Sequence, residues 1–440
     1  MSLNDLNTSS DSRGRRIGDK RSDSRRLLWI ILLCMLILRF SVSFSNILSW
    51  DTKGYYLYLP AIFIYNDPGL FDTGWLVQIQ ESYQTSSTLY MLNDGLSGAR
   101  LTKYTSGLAW LMLPFFLLAH AVAVLSSAWP ADGFSMPYQA LITFGMFTYL
   151  FAGLWYLRRV LLHYFQARTV FYSLIILVGG TNLLNQMAFQ TLMIHAPLFA
   201  LYSILIWHII QFYEKPGLWP HFASMALLCG LISLMRPTEV LCFLLAGLWG
   251  VNSWSLLRAR LRFFIDRPLW LLSGAGLVFL VVLPQLIYWK SYSGQWLYYS
   301  YDNPGEGLDW LSPHTFAFLF SFRKGWLIYT PLMAMAVAGL LRMLIQRKPE
   351  ALSIALFSVL SLYVMSAWTT WWYAGGCFSS RTMVSVYPAL ALPLASATEW
   401  ILQRRLWQRT LFFVAILGLM FLNLFQTWQF QHGIISRERM

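Results

Sequence analysis

"FASMALLCGLISLMRPTEVLCFLLAGLWG", Phe222 to Gly250, is apolar along its whole length except for the Arg-Pro-Thr-Glu at its centre. A bilayer core takes about 20 apolar residues per helical crossing. The stretch is therefore either one long broken helix or a tight pair, and the choice sets the side on which every later loop emerges. Pro237 marks the break, because proline lacks a backbone N–H and its ring clashes with the preceding turn.

Comparable apolar runs lie on both sides of it, at about 27 to 47, 107 to 127, 138 to 157, 169 to 186, 189 to 211, 269 to 289, 325 to 341, 351 to 368, 383 to 399 and 409 to 427. At 57% hydrophobic, 17% aromatic and 12% charged residues over 440 positions, the chain has too little polar surface to be soluble. The runs are apolar all round instead of alternating, which excludes a transmembrane β-barrel. The expected fold is all-α, a polytopic transmembrane bundle of about eleven helices with outer-face loops and interfacial helices.

A formal charge of +13 would suggest nucleic acid in a soluble protein. Here many of the cations sit between apolar runs, where they orient helices in the membrane, so no nucleic-acid partner is expected. Cys34, Cys229 and Cys242 fall inside apolar runs and only Cys377 lies in a polar connection, so neither a disulfide framework nor metal-ligand spacing is present. Residues 1–26 are polar, with seven Lys/Arg against four Asp, and read as a disordered cytoplasmic tail. The run Leu27 to Ile47 lacks a cleavage site and reads as an uncleaved anchor with its N-terminus inside.

That orientation puts the first loop, 48–106, outside. Arg258, Arg260, Arg262 and Arg267, then Arg342, Arg347 and Lys348, then Arg404, Arg405 and Arg409, mark three inner loops. Counting back from these favours one broken helix over 222–250 and an outer C-terminal tail, 428–440. It also puts Arg158, Arg159 and Arg168 outside, against the positive-inside rule. A second large outer loop covers 290–324, and "WTTWWYAGGCFSSR", Trp368 to Arg381, is a shorter one.

Chemistry-bearing residues gather in the outer loops. Asp51 follows the anchor directly, in "SWDTKGYYLYLPAIF", beside Tyr55 and Tyr56. A carboxylate at that interface suits a general base, and otherwise is a solvated helix end. Arg39 lies at membrane depth and needs an anionic partner or a route to the interface. Arg236 stands at the Arg-Pro break, where it suits a phosphate or an ion pair with Glu239. Arg323, Lys324 and Arg381 sit at outer helix ends, where topology does not call for cations and where guanidinium forks suit phosphate oxygens. His195, a lone intramembrane histidine, reads as a satisfied interior group.

The order of these features resembles the C-type integral-membrane glycosyltransferases, which include protein O-mannosyltransferases and lipid A aminoarabinose transferases. The features are the acid after the first helix, "KYTSGLAWLMLPFFLLAH", the mid-chain Arg-Pro break, the aromatic outer loop, and "WWYAGG" followed by "SSR". The likeness covers roughly Leu27 to Gln426. It implies transfer of a hexosyl or pentosyl unit, with inversion, from a polyprenyl-phosphate donor to a glycan, lipid or protein acceptor at the outer face of a plasma or inner membrane. Asp51 corresponds to the family's first-loop acid, Lys103 and Tyr104 to its second-helix motif, Arg236 to its basic break, and Asp302, Glu306 or Asp309 to its late acids. Arg323, Lys324 and Arg381 would hold the donor phosphate, with Tyr55, Tyr56 and Trp372 against the substrate. Thr52 replaces a common second acid, so a divalent metal is not supported and no cofactor is expected. A polymerase or ligase of lipid-linked glycans, and a flippase of a lipid-linked saccharide, are the alternatives.

Overall fold

The computed structural model describes residues 23–41, 47–215, 217–301, 305–372 and 376–435. Among them the protein is all-α, apart from an isolated bridge and one antiparallel hairpin, Leu92–Asp94 with Arg100–Thr102, in which Leu92 faces Thr102. Most of the expected N-terminal tail and the last residues of the chain lie outside the described set. The first helix covers 23–40 and so begins before the apolar run.

Among the described residues, five helices are long and apolar enough to cross a membrane: Gly107–Leu125, Met136–Tyr164, His195–Glu214, Pro268–Ser293 and Leu406–Gln431. Shorter apolar helices, among them Ala167–Gly179, Trp219–Met235, Met333–Ile345 and Ala351–Ser366, fill the bundle with Tyr387–Leu402. Their limits follow local chemistry. Pro137, Pro220, Pro268 and Pro388 open helices in the first turn, where a missing N–H has no intrahelical partner to lose. Gly294, at φ 75°, closes Pro268–Ser293 in the left-handed conformation that glycine adopts without strain.

Small residues bring the helices close, as is usual where lipid supplies no hydrophobic drive between them. A Cβ on Gly339 would overlap the Pro393 carbonyl oxygen, and one on Gly153 would stand 2.5 Å from Ala200 Cα.

The basic loops collect at one end of the bundle. Arg158 Nε donates to Ser24 Oγ at 2.8 Å, and His163 lies 2.9 Å from Glu214. Tyr164, Arg342, Lys348, Glu350 and Glu399 line one cavity of about 320 Å³. Arg158 and its neighbours thus share an end with the other cationic loops, contrary to the expected alternation. The opposite end holds Asp51, and there the Ile47 N–H donates to Gln139 Oε1 at 3.1 Å.

Two segments account for the difference. Helix Gly107–Leu125 keeps both ends away from the basic end. At its start, Ser106 N–H donates to Gln285 Oε1 at 2.8 Å and Thr105 to the Met235 carbonyl at 3.0 Å; beyond its finish, Asp132 accepts from Tyr83 of the 48–106 segment, which also carries Asp51, at 2.6 Å. The stretch around Arg236 folds back on itself: Cys242 Sγ reaches the Cys229 carbonyl at 3.8 Å. His221, on the first leg, meets His208 at 3.0 Å, while Tyr213 donates to Ala246, on the second leg, at 2.6 Å. Both legs therefore end beside the last turns of His195–Glu214, and Arg236 lies at the apex of a hairpin instead of midway along one crossing.

Candidate functional site

Asp51 lies in the first turn of the short helix Trp50–Tyr56, which packs against the residues following the β-hairpin. Gly54 makes that approach possible, since a Cβ there would overlap the Tyr104 ring. Asp51 Oδ1 accepts from Tyr90 at 2.7 Å and Tyr104 at 2.8 Å, and Oδ2 accepts from Arg381 Nη2 at 3.0 Å. Tyr55 stacks on Tyr104, with centroids 4.2 Å apart. Burial pushes the Asp51 carboxyl pKa up, but the Arg381 charge and the three hydrogen bonds outweigh it and hold it below the ordinary value. The Tyr90 and Tyr104 hydroxyls are pushed up, by burial and then by the Asp51 charge, so they stay protonated donors. The site therefore holds an ionised carboxylate at neutral pH.

Around that carboxylate stand buried polar atoms without acceptors. Arg381 Nε, Arg236 Nη1 and His195 Nδ1 have no hydrogen-bond partner among the described residues. Arg236 comes only within 4.0 Å of Glu239, whose carboxylate is taken by Tyr202 at 2.8 Å and Ser385 at 3.2 Å. His195 lies within electrostatic reach of both arginines. Lys324 is buried and electrostatically close to Arg381 and Cys377, and its chain is tied to this region by Ser380 Oγ, which donates to the Lys324 carbonyl at 2.7 Å. A buried donor left unpaired costs about 1–3 kcal/mol. Several together mark a place where an acceptor belongs.

Lys103 pairs with Glu306 at 2.8 Å and stands 5.5 Å from the centroid of the Tyr301 ring, whose hydroxyl is in electrostatic reach of Asp51, Arg236 and Arg381. Ser300 Oγ donates to the Lys103 carbonyl at 2.6 Å, and Asn93 Nδ2 donates to the Ser300 carbonyl at 2.6 Å. These bonds fasten the 290–324 segment to the 48–106 segment. The third loop docks on the second: Thr369 N–H donates to Gly307 O at 2.9 Å.

Of the residues singled out by sequence, Asp51, Arg381, Arg236, Tyr104 and Tyr55 converge, with Lys103, Glu306 and Lys324 at the margin. Tyr56 turns away; its hydroxyl donates to the Gly133 carbonyl and its ring packs on Phe116 and Phe134, a structural role. Arg323 is exposed and stacks 3.9 Å over Trp372 on the loop surface, apart from the buried donors. Asp309 caps the Leu311 and Ser312 N–H groups, and Asp302 lies outside the described residues. Tyr90 and Tyr301 were not singled out, and His195, read as a satisfied interior group, has its Nδ1 unsatisfied. Lys53, fully buried, has Thr85 Oγ1 as its partner at 2.8 Å, and burial lowers its pKa to about 8.

No family model, curated protein or solved structure matches the chain.

Proposed function

We propose that the protein is a membrane glycosyltransferase of the C-type kind, which moves a sugar from a polyprenyl-phosphate carrier to an acceptor at the outer face of the membrane. One juxtaposition carries the reading: an ionised carboxylate, Asp51, bound 3.0 Å from a guanidinium that keeps an unused buried donor, with a second unused guanidinium donor on Arg236. The first supplies a base and the others an anion cradle.

In the transfer, Asp51 takes the acceptor hydroxyl proton as the acceptor oxygen attacks the anomeric carbon. The bond from that carbon to the phosphate oxygen breaks, and its electron pair stays on the polyprenyl phosphate. Arg236, Arg381 and Lys324 neutralise the added charge, which is worth more as the bond breaks than in the resting complex. One displacement inverts the anomeric centre, and no second carboxylate is needed as nucleophile. At rest Arg381 weakens Asp51 as a base. Donor phosphate engaging Arg381 Nε shares that charge and returns basicity to Asp51 once the site is loaded.

The positive-inside rule places the basic end in the cytoplasm and the site outside. Among the described residues the proposal gives nine crossings, by 23–40, 136–164, 167–188, 195–214, 268–293, 326–345, 351–366, 387–402 and 406–431. Gly107–Leu125 stays in the outer half, and Trp219–Leu248 is re-entrant. Neither adds a net crossing, so the proposal keeps the expected N-terminus inside and C-terminus outside with fewer than eleven crossings.

A carrier is the second reading, favoured by that re-entrant hairpin with a cation at its apex, since broken helices also build transport sites. The two are separated by incubating the protein in vesicles with a synthetic polyprenyl-phosphate sugar and acceptors from a cell-envelope extract. Release of free polyprenyl phosphate that requires acceptor supports transfer. Intact donor crossing the bilayer without release supports the carrier.

A further inference from the structure

We propose that the basic end carries a binding site for an anionic phospholipid of the leaflet it faces, built by helix Trp254–Ile265 and the start of the next span. The proposal rests on the placement of the basic end in the inner leaflet and not on the catalytic reading. Ser253 caps this helix, its side chain accepting from the Leu256 N–H at 3.3 Å. One face is spent on the bundle. Arg260 stacks 3.7 Å over Tyr213 and donates to the Gly247 and Trp249 carbonyls at 2.9 and 2.7 Å, while Phe263 and Phe264 pack on Phe212.

A second face is uncovered. Trp254, Leu261 and Ile265 fall at i, i+7 and i+11, one stripe of a helix, and are 62%, 52% and 71% exposed. Arg258 and Arg262 border the stripe, both exposed, with Arg258 5.3 Å over Trp254. Arg267 follows, 4.3 Å over Phe263. The stripe runs on into Leu269 and Leu272, 76% and 68% exposed at the start of Pro268–Ser293. That helix is apolar and largely uncovered by protein, so lipid covers it. Acyl chains laid along Leu261, Ile265, Leu269 and Leu272 put a headgroup phosphate among Arg258, Arg262 and Arg267. Residues 251–270 carry four arginines and one acid, Asp266, and Arg260 is already used. The remaining excess of positive charge matches a net-negative headgroup and is wasted on a zwitterionic one.

The test uses the full-length protein in detergent, with native mass spectrometry after addition of phosphatidylglycerol or phosphatidylcholine of matched chains. The expected result is retention of phosphatidylglycerol in preference by about tenfold or more, loss of a bound phosphatidylglycerol in the combined Arg258→Gln, Arg262→Gln, Arg267→Gln variant, and no displacement by soluble glycerol phosphate. Equal retention of the two lipids, an unchanged count in the variant, or displacement by glycerol phosphate overturns it. A measurement on unmodified protein stands if the variant does not fold: photoreactive phosphatidylglycerol should cross-link chiefly within residues 254–272, and labelling spread evenly over the lipid-facing helices overturns the proposal.

Discussion

Asp51 divides its two carboxylate oxygens among three donors, two of them tyrosine hydroxyls that gain nothing by ionising. Tyr104→Phe removes a hydrogen bond to the charged form, a contact worth about 1.5–3 kcal/mol, so the Asp51 pKa rises toward its ordinary value. The acid limb of a transfer-against-pH profile should then move to higher pH by about one unit, and the stability that Asp51 contributes at neutral pH and loses on acidification should be smaller. A profile coincident with wild type would show that Tyr104 does not tune Asp51. Lys53 offers the opposite sign. Its pKa is held at about 8 against an ordinary 10.5, so burying the charged form destabilises the fold below pH 8, and stability climbs as pH rises from 8 toward 10.5. Lys53→Met should therefore stabilise the fold at pH 7 by on the order of 1–3 kcal/mol, raise the melting temperature there, and flatten that climb; calorimetry at pH 7 and 9.5 reads both. Residue type and placement made Asp51, Arg236, Tyr104 and Arg381 visible in the sequence. Their pairing was not, because Arg381 lies 330 positions from Asp51. Tyr90 and Tyr301 sit in aromatic loops without periodicity, where a hydrogen-bonding tyrosine and an interfacial anchor look alike.

At the scale of elements, hydropathy located the helices but not the direction of the chain at a proline. The apolar run at 138 to 157 became Met136–Tyr164 and that at 269 to 289 became Pro268–Ser293. At Arg236 the same signal fitted a kink or a reversal, and the reversal is set by contacts such as Tyr213 with Ala246 that no local pattern encodes. In a background lacking the four native cysteines, Leu218→Cys and Asn252→Cys should both react with a permeant thiol reagent and neither with an impermeant one applied outside. Reaction of one of them from outside would mean that the stretch crosses once. Packing gives a second test at this scale. Gly339→Ala drives a methyl into the Pro393 carbonyl and should destabilise by about 1–3 kcal/mol. Gly418→Ala meets open space in the last helix and should be neutral or slightly stabilising; equal effects would show that the Gly339 contact is not tight.

For the whole molecule, charge is the organising variable. Two groups of its cations stand apart among the described residues, one in the loops of a single end, the other, Arg236, Arg381 and Lys324, at the far end near Asp51, where Arg236 and Arg381 each keep a buried donor unpaired. On the proposed reading, topology accounts for the first set and an anionic substrate for the second. Counting each apolar run as a crossing put Arg158, Arg159 and Arg168 at the wrong end of the bundle, and residue type alone grouped Arg323 with Arg381 although it stacks, exposed, on Trp372. The central claim is that Asp51 acts as base on a donor held by the second set, and single-turnover transfer from a bound synthetic polyprenyl-phosphate sugar tests it most directly, comparing wild type with Asp51→Asn. The amide keeps the shape and loses the basicity, so the variant should bind donor about as tightly while transfer falls by about 10²–10⁴-fold. Donor consumed at the wild-type rate by Asp51→Asn would contradict the account.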